Sequence, residues 1–181
     1  MTIFFGANDS GVNGEQMLTS ERYVENIRKL IQLSLDTFPK NCPVIVITPP
    51  PCFAKKFNES RGIYKHENKR TEEFRNLCLS TIQEFSNNSR VFSLDIWEEL
   101  LGKTWDPSSE EYDKILDGYL CDGLHLNDKA NEILFNKLIK LIEENFPNLI
   151  PENMPMVGPY WRDIDPEKID EAFNKNQKEQ L

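Results

Sequence analysis

Apolar and polar positions along this chain follow two rhythms. Ile3-Phe4-Phe5 is a short apolar run stopped by Gly6, the pattern of a buried strand. Val24, Ile27, Leu30, Ile31 and Leu35 then recur at helical spacing behind Thr19 and Ser20, either of which can cap a helix. Val44-Ile45-Val46-Ile47-Thr48 is an unbroken β-branched run, suited to a parallel strand covered on both faces, and Pro49-Pro50-Pro51 ends it. The polar, irregular stretch from Cys52 to His66 is expected to be a long loop over one end of a sheet. A second helix carries Phe74, Leu77, Cys78, Ile82 and Phe85 on one face, and Asn87-Asn88-Ser89 breaks it. Arg90 to Leu94 reads as a third strand, followed by a short amphipathic turn at Ile96-Trp97-Leu100-Leu101. Asp106 to Gly118 is expected to be a loop with one helical turn. The last strong helix starts at Asn127 or Asp128 and is expected to turn Ile133, Leu134, Leu138, Leu141 and Ile142 inward.

Strand and helix in this alternation require right-handed crossovers and a parallel sheet with helices on its faces, so the fold class is α/β. The main domain is expected to span residues 1–163, with 164–181 as a polar C-terminal tail. Trp97, Trp105 and Trp161 are assigned to packing.

Composition narrows the function classes. The chain has 181 residues, a length that a single domain accommodates, and a formal net charge of −9. An acidic chain lacks the cationic surface that phosphate neutralisation needs, which argues against a nucleic-acid partner and against an anionic membrane surface. No window approaches the ~18 apolar residues of a membrane span. Cys42, Cys52, Cys78 and Cys121 show no CxxC pairing and no metal-like spacing with His66 or His125, which suggests reduced thiols and a cytoplasmic location.

Open parallel sheets place their sites at the carboxyl ends of the strands. Gly6-Ala7-Asn8-Asp9-Ser10 stands there directly after the first strand, and Asp122-Gly123-Leu124-His125 stands just before the last helix. Glycine permits a sharp turn and a close approach, and an asparagine amide can donate to an oxyanion without titrating. Asp and His three residues apart on one turn can pair a carboxylate with an imidazole, fixing its tautomer. Taken singly, the first segment is in most proteins only a tight turn, and the second only a helix entry. Both at one sheet edge point to chemistry.

Phe5-Gly6-Ala7-Asn8-Asp9 resembles the third sequence block of SGNH (GDSL-type) ester hydrolases, and Asp122-Gly123-Leu124-His125-Leu126 resembles their fifth. Ile47-Thr48-Pro49-Pro50-Pro51, the run from Asp122 to Asn131 and Pro159-Tyr160-Trp161-Arg162-Asp163 are similar to the isoamyl-acetate-hydrolysing esterase group. The resemblance runs from Met1 to about Asp163. It implies a flavodoxin-like parallel sheet and hydrolysis of small-molecule, short acyl esters without metal or cofactor. Asn8 is then the oxyanion donor, His125 the general base, Asp122 its orienting carboxylate and Gly6 a minor substrate contact. Asp9 is expected to hold the turn, and His66, which matches no block, to be a solvated loop residue.

The family takes its nucleophilic serine from a Gly-Asp-Ser block after the first strand and an oxyanion glycine from a second block. Neither is in this chain. The chain therefore reads as lacking the first two strand-helix units, roughly 60 residues or more, with an apolar edge left on its first strand. Ser10 and Ser60 are poor substitutes for the nucleophile. Four readings follow: an ester hydrolase whose recorded chain is N-terminally incomplete, an inactive remnant kept as a binding or scaffold module, an enzyme completed by another polypeptide, and, least supported, a metal hydrolase on Asp122, His125 and His66.

Overall fold

The computed structural model describes residues 1–60, 62, 64–154, 158–171 and 173. Two compact units are recognisable, Met1–Leu138 and Ile139–Leu181. In the first unit, β1 (Thr2–Phe4), β2 (Val44–Ile47) and β3 (Val91–Leu94) form a parallel sheet in the order β1-β2-β3. Ile3 lies beside Val46, and Val46 beside Ser93. This is the expected α/β architecture. β2 is buried along its whole length because it is central and covered on both faces, as its unbroken aliphatic run requires. β1 is an edge, and beside it Phe4 and Phe5 are 39% and 58% exposed.

α1 (Ser20–Thr37) starts at Thr19, whose hydroxyl accepts the Arg22 N–H at 3.2 Å. Its buried face of Tyr23, Ile27 and Ile31 meets Phe74, Cys78 and Ile82 of α3 (Asn68–Gln83) over the sheet residues Ile3, Val44 and Val46. These positions repeat every four residues, so one stripe of each helix enters the core. At the carboxyl ends of β2 and β3, Thr48 donates to Asp95 at 3.0 Å, and Arg75 forms an ion pair with the same carboxylate. The Arg75 guanidinium also lies 5.0 Å from the Trp105 ring centroid.

The segment 52–66 departs from the expected loop, because Ala54–Ser60 forms a helix, α2. Phe57 anchors it, packed with Cys52 and Leu124, and the Asn68 side chain accepts the Ala54 N–H at 2.8 Å. One buried aromatic in seven residues leaves too weak a periodicity to read from sequence. α4 (Trp97–Leu101) and α5 (Glu110–Asp117) are likewise fuller helices than the turns expected, with Ser109 capping α5 through the Tyr112 N–H at 3.1 Å.

α6 (Asp128–Asn145) begins where expected, with the Asn127 side chain accepting the Ala130 N–H at 3.1 Å. Ala130 is its one buried residue; Ile133, Leu134, Leu138, Leu141 and Ile142 are half-buried, not fully inward. Helical period identifies a face, whereas burial depends on which elements cover it. In the second unit, Trp161 is 68% exposed and so does not pack a core as expected; its ring stacks with Tyr160 and under Arg162. Of the expected tail at 164–181, residues 172 and 174–181 lie outside the described residues.

Candidate active site

The site grows from two loops at the carboxyl side of the sheet. Gly6 follows β1 with φ +120°, and a Cβ there would stand 2.6 Å from the Tyr23 hydroxyl and 3.0 Å from Pro49. Only glycine fits this approach. The chain then turns tightly: Ser10 N–H donates to the Gly6 carbonyl at 3.0 Å, and Gly11 N–H to the Asn8 carbonyl at 3.1 Å. Arg70, on α3, clamps the loop by donating to the carbonyls of Gly11 (3.1 Å) and Leu18 (2.7 Å). The turn is thus set by backbone bonds, and the Asn8 side chain is left exposed with no partner among the described residues.

Asp9 is half-buried, and its carbonyl accepts the Leu18 N–H at 3.0 Å. Burial raises its carboxyl above the ordinary range, against the pull of backbone groups at Asp9 and Gly6.

The second loop is held by a two-residue antiparallel bridge, Leu120 to Leu126, with Cys121 N–H donating to the His125 carbonyl at 2.8 Å. Gly123 has φ +94°, and a Cβ there would lie 2.6 Å from the Phe53 carbonyl and 2.7 Å from the Phe57 nitrogen. This close approach to α2 turns Asp122 and His125 toward each other. His125 Nδ1 lies 2.9 Å from Asp122 Oδ2 and 3.1 Å from Oδ1, while Oδ1 also accepts the N–H groups of Leu124 (3.1 Å) and His125 (3.0 Å). The carboxylate is mostly shielded and the imidazole 64% exposed. With Nδ1–H donated to the carboxylate, Nε2 carries the lone pair, the arrangement of an oriented base.

The two loops meet at a cavity of about 370 Å³ lined by Phe4, Phe5, Gly6, Ala7, Asn8, Asp9, Pro50, Leu124, His125, Leu126 and Asn131. Three of the residues expected from sequence, Gly6, Asn8 and His125, therefore share one cavity, and Asp122 bonds to the last of them. The aromatic wall from β1, together with Pro50 and Asn131, went unread; an apolar residue at a strand end carries no sequence signal distinguishing a wall from core. No serine, threonine or cysteine lines this cavity among the described residues. Ser10 is fully buried and donates to the Ala7 carbonyl at 2.8 Å; Ser60 donates to the Phe57 carbonyl at 3.0 Å. Burial pushes the Cys52 thiol up to about 12, which leaves it protonated at neutral pH.

His66 differs from its expected place. It is 5% exposed, not solvated, and its ring meets Phe57 edge-on at 4.9 Å. Its backbone is tied on both sides by Asn58, whose side chain accepts the His66 N–H at 2.8 Å and donates to its carbonyl at 2.9 Å. The pinned loop, hidden in the polarity of 52–66, brings this residue under cover. Among the described residues no group of three His, Cys, Asp or Glu side chains could hold a metal ion, and no helix is long and apolar enough to cross a membrane.

Comparison with known proteins agrees with the geometry. The sequence profile of GDSL-like lipase/acylhydrolases matches residues 1–138. The human isoamyl acetate-hydrolyzing esterase 1 homolog is 36% identical over 172 residues, covering 91% of this chain and 61% of its own. The isoamyl acetate-hydrolyzing esterase of Saccharomyces cerevisiae is 27% identical, covering 90% of this chain and 64% of its own. The chain thus spans about 61% of the length of the human relative it matches. Among solved structures, a GDSL-like lipase from Bacteroides thetaiotaomicron shares the fold with a TM-score of 0.58 at 15% identity, covering 79% of this chain and 61% of that one. A profile match along most of the chain, a relative above the level of chance resemblance and a shared fold converge on one conclusion: the chain belongs to the GDSL-like lipase/acylhydrolase family.

Proposed function

We propose that this chain forms the base and oxyanion side of a carboxylic-ester hydrolase acting on short acyl esters of the isoamyl-acetate kind. The observation that carries the reading is the bidentate approach of Asp122 to His125 Nδ1 beside an unpartnered Asn8 amide, in one apolar-walled cavity. A serine hydroxyl attacks the acyl carbon while His125 Nε2 takes its proton. Asn8 donates an N–H to the oxyanion of the tetrahedral intermediate, and His125 returns the proton to the departing alcohol. Water then attacks the acyl-enzyme with His125 again as base, releasing the acid. Asp122 stabilises the imidazolium at both stages. Phe4, Phe5, Leu124 and Leu126 supply an apolar wall for an aliphatic arm. Gly6 serves by letting the backbone come close.

The nucleophile belongs, on this reading, to a Gly-Asp-Ser segment outside these 181 residues, because neither Ser10 nor Ser60 reaches the cavity of His125. The free state of all four cysteines supports a reducing compartment, the cytoplasm. The test is hydrolysis of isoamyl acetate by the protein expressed from its native transcript, with and without His125→Ala. Loss of turnover in the variant is expected. Equal turnover, or none in either protein, overturns the reading, and the latter result supports the competing one: an inactive module of the same fold, favoured only by the lack of a serine or threonine hydroxyl among the cavity's described lining residues.

A further inference from the structure

A second cavity, of about 150 Å³, shares Asn8, Leu124 and His125 with the first but none of its phenylalanines. Its character differs. Beyond the shared residues its walls include Gln16, Tyr64, Lys65 and His66, and no carboxylate is among its described lining residues, in a chain of net charge −9. The loop that forms it is pinned: Val12 N–H donates to the Lys65 carbonyl at 3.0 Å, and Lys65 N–H to the Asn13 side chain at 2.7 Å. Asn58 holds the His66 backbone from both sides. The ring so positioned is buried; its Nδ1 has no hydrogen-bond partner and is closed off from the cavity, so the polar atom left to face the cavity is Nε2. Lys65 Nζ, bonded to the Asn58 carbonyl at 3.1 Å, adds a cation to the same wall.

We propose that this cavity is the subsite for the second arm of the ester, and that His66 with Lys65 and Gln16 selects an arm bearing an acceptor oxygen, carbonyl or carboxylate, over an aliphatic arm of equal length. The inference rests on the ester-hydrolase reading above. The aliphatic arm then lies against the phenylalanine wall of the first cavity and the oxygen-bearing arm in the second, with the scissile carbonyl between them at Asn8 and His125. An imidazole that burial keeps neutral, with Nδ1 bare, can donate its Nε2–H to such an oxygen without titrating.

The test uses the 181-residue chain and proton NMR, because its histidines are two, His66 and His125, whose ring Hε1 signals are assigned by their loss in His66→Phe and in His125→Ala. Ethyl levulinate, ethyl pentanoate and monoethyl succinate are titrated separately; the first pair differs by a keto oxygen, and the third replaces it with a carboxylate. The expected result is saturable movement of the His66 signal by ethyl levulinate, with affinity about fivefold above that for ethyl pentanoate. The preference is expected to vanish in His66→Phe, which keeps the edge-on ring contact with Phe57. Gln16→Ala, at an exposed position, tests the same wall without disturbing the core and is expected to weaken the preference. Monoethyl succinate binding more tightly than the levulinate assigns the site to a carboxylate; weaker binding assigns it to a neutral carbonyl. Equal affinities for the levulinate and the pentanoate, or an unmoved His66 signal, overturn the inference. If the His125 signal still responds to all three esters in that case, only the subsite fails; the ester-hydrolase reading is decided separately, by the His125→Ala hydrolysis comparison.

Discussion

His125 has 64% of its side chain in solvent, yet Asp122 fixes its ring through two contacts at Nδ1. His66 is 5% exposed, and its Nδ1 meets nothing. Exposure and hydrogen bonding thus run in opposite directions in the two histidines. A base that must exchange protons with a substrate needs access for one nitrogen and fixed orientation through the other, which a surface loop braced by a shielded carboxylate supplies. A ring used for recognition needs the reverse: a pinned backbone and a shielded place in the wall of a cavity. Two copies of one side chain are differentiated by their loops.

The largest break in this comparison comes from unpairing His125. In the protein that carries the nucleophile, Asp122→Asn is expected to lower kcat ~10⁴-fold by losing the tautomer that presents Nε2, with KM for isoamyl acetate little changed. Steady-state kinetics check this, and a loss confined to KM would count against the orienting role. Next is Asn8→Ala, expected to cost ~10²–10³ in kcat as an oxyanion donor is removed; an unchanged kcat would place the oxyanion elsewhere. Gly123→Ala attacks the geometry beneath the pair. Its Cβ would collide with backbone at 2.6 Å and 2.7 Å, at φ +94°. A loss of about 2 kcal/mol is expected, or roughly 4–8 °C in Tm, which thermal denaturation reads directly.

The smallest effect concerns His66 and pH. Burial holds its pKa below the ordinary value of 6.5, so between pH 6.5 and its folded pKa the unfolded chain binds the proton that the folded chain refuses. Stability on this account is complete above pH 6.5 and falls as pH drops through that window. His66→Phe is expected to flatten that part of the stability curve between pH 7 and pH 5, measured by urea titration. A parallel slope in the variant would mean that another group titrates there.

Much of this was legible in the chain itself. The aliphatic run of β2 and the stripes of α1 and α3 follow from periodicity, because their burial is set by the elements' own faces. Gly6, Asn8, Asp122 and His125 could be read because a turn glycine, an uncharged amide and a carboxylate three residues before an imidazole have few other uses together at strand ends. What could not be read depends on distant partners. Arg70 reaches two carbonyls of the Gly6–Leu18 loop from another element. α2 rests on Phe57 alone, and the α6 stripe is only half-buried because a helical period says nothing about its cover. His66 sits in a polar segment whose composition suggests solvent, and only the Asn58 brace, acting from eight residues away, draws it inside.

On the proposed reading, Asp122, His125 and Asn8 serve a serine that is not among these 181 residues. Labelling the protein purified from its native source with a fluorophosphonate, followed by peptide mass spectrometry, tests it most directly. One adduct is expected, on the serine of a Gly-Asp-Ser peptide absent from this sequence, together with its loss in His125→Ala. An adduct on Ser10 or Ser60, or no adduct on protein that still hydrolyses isoamyl acetate, would contradict it.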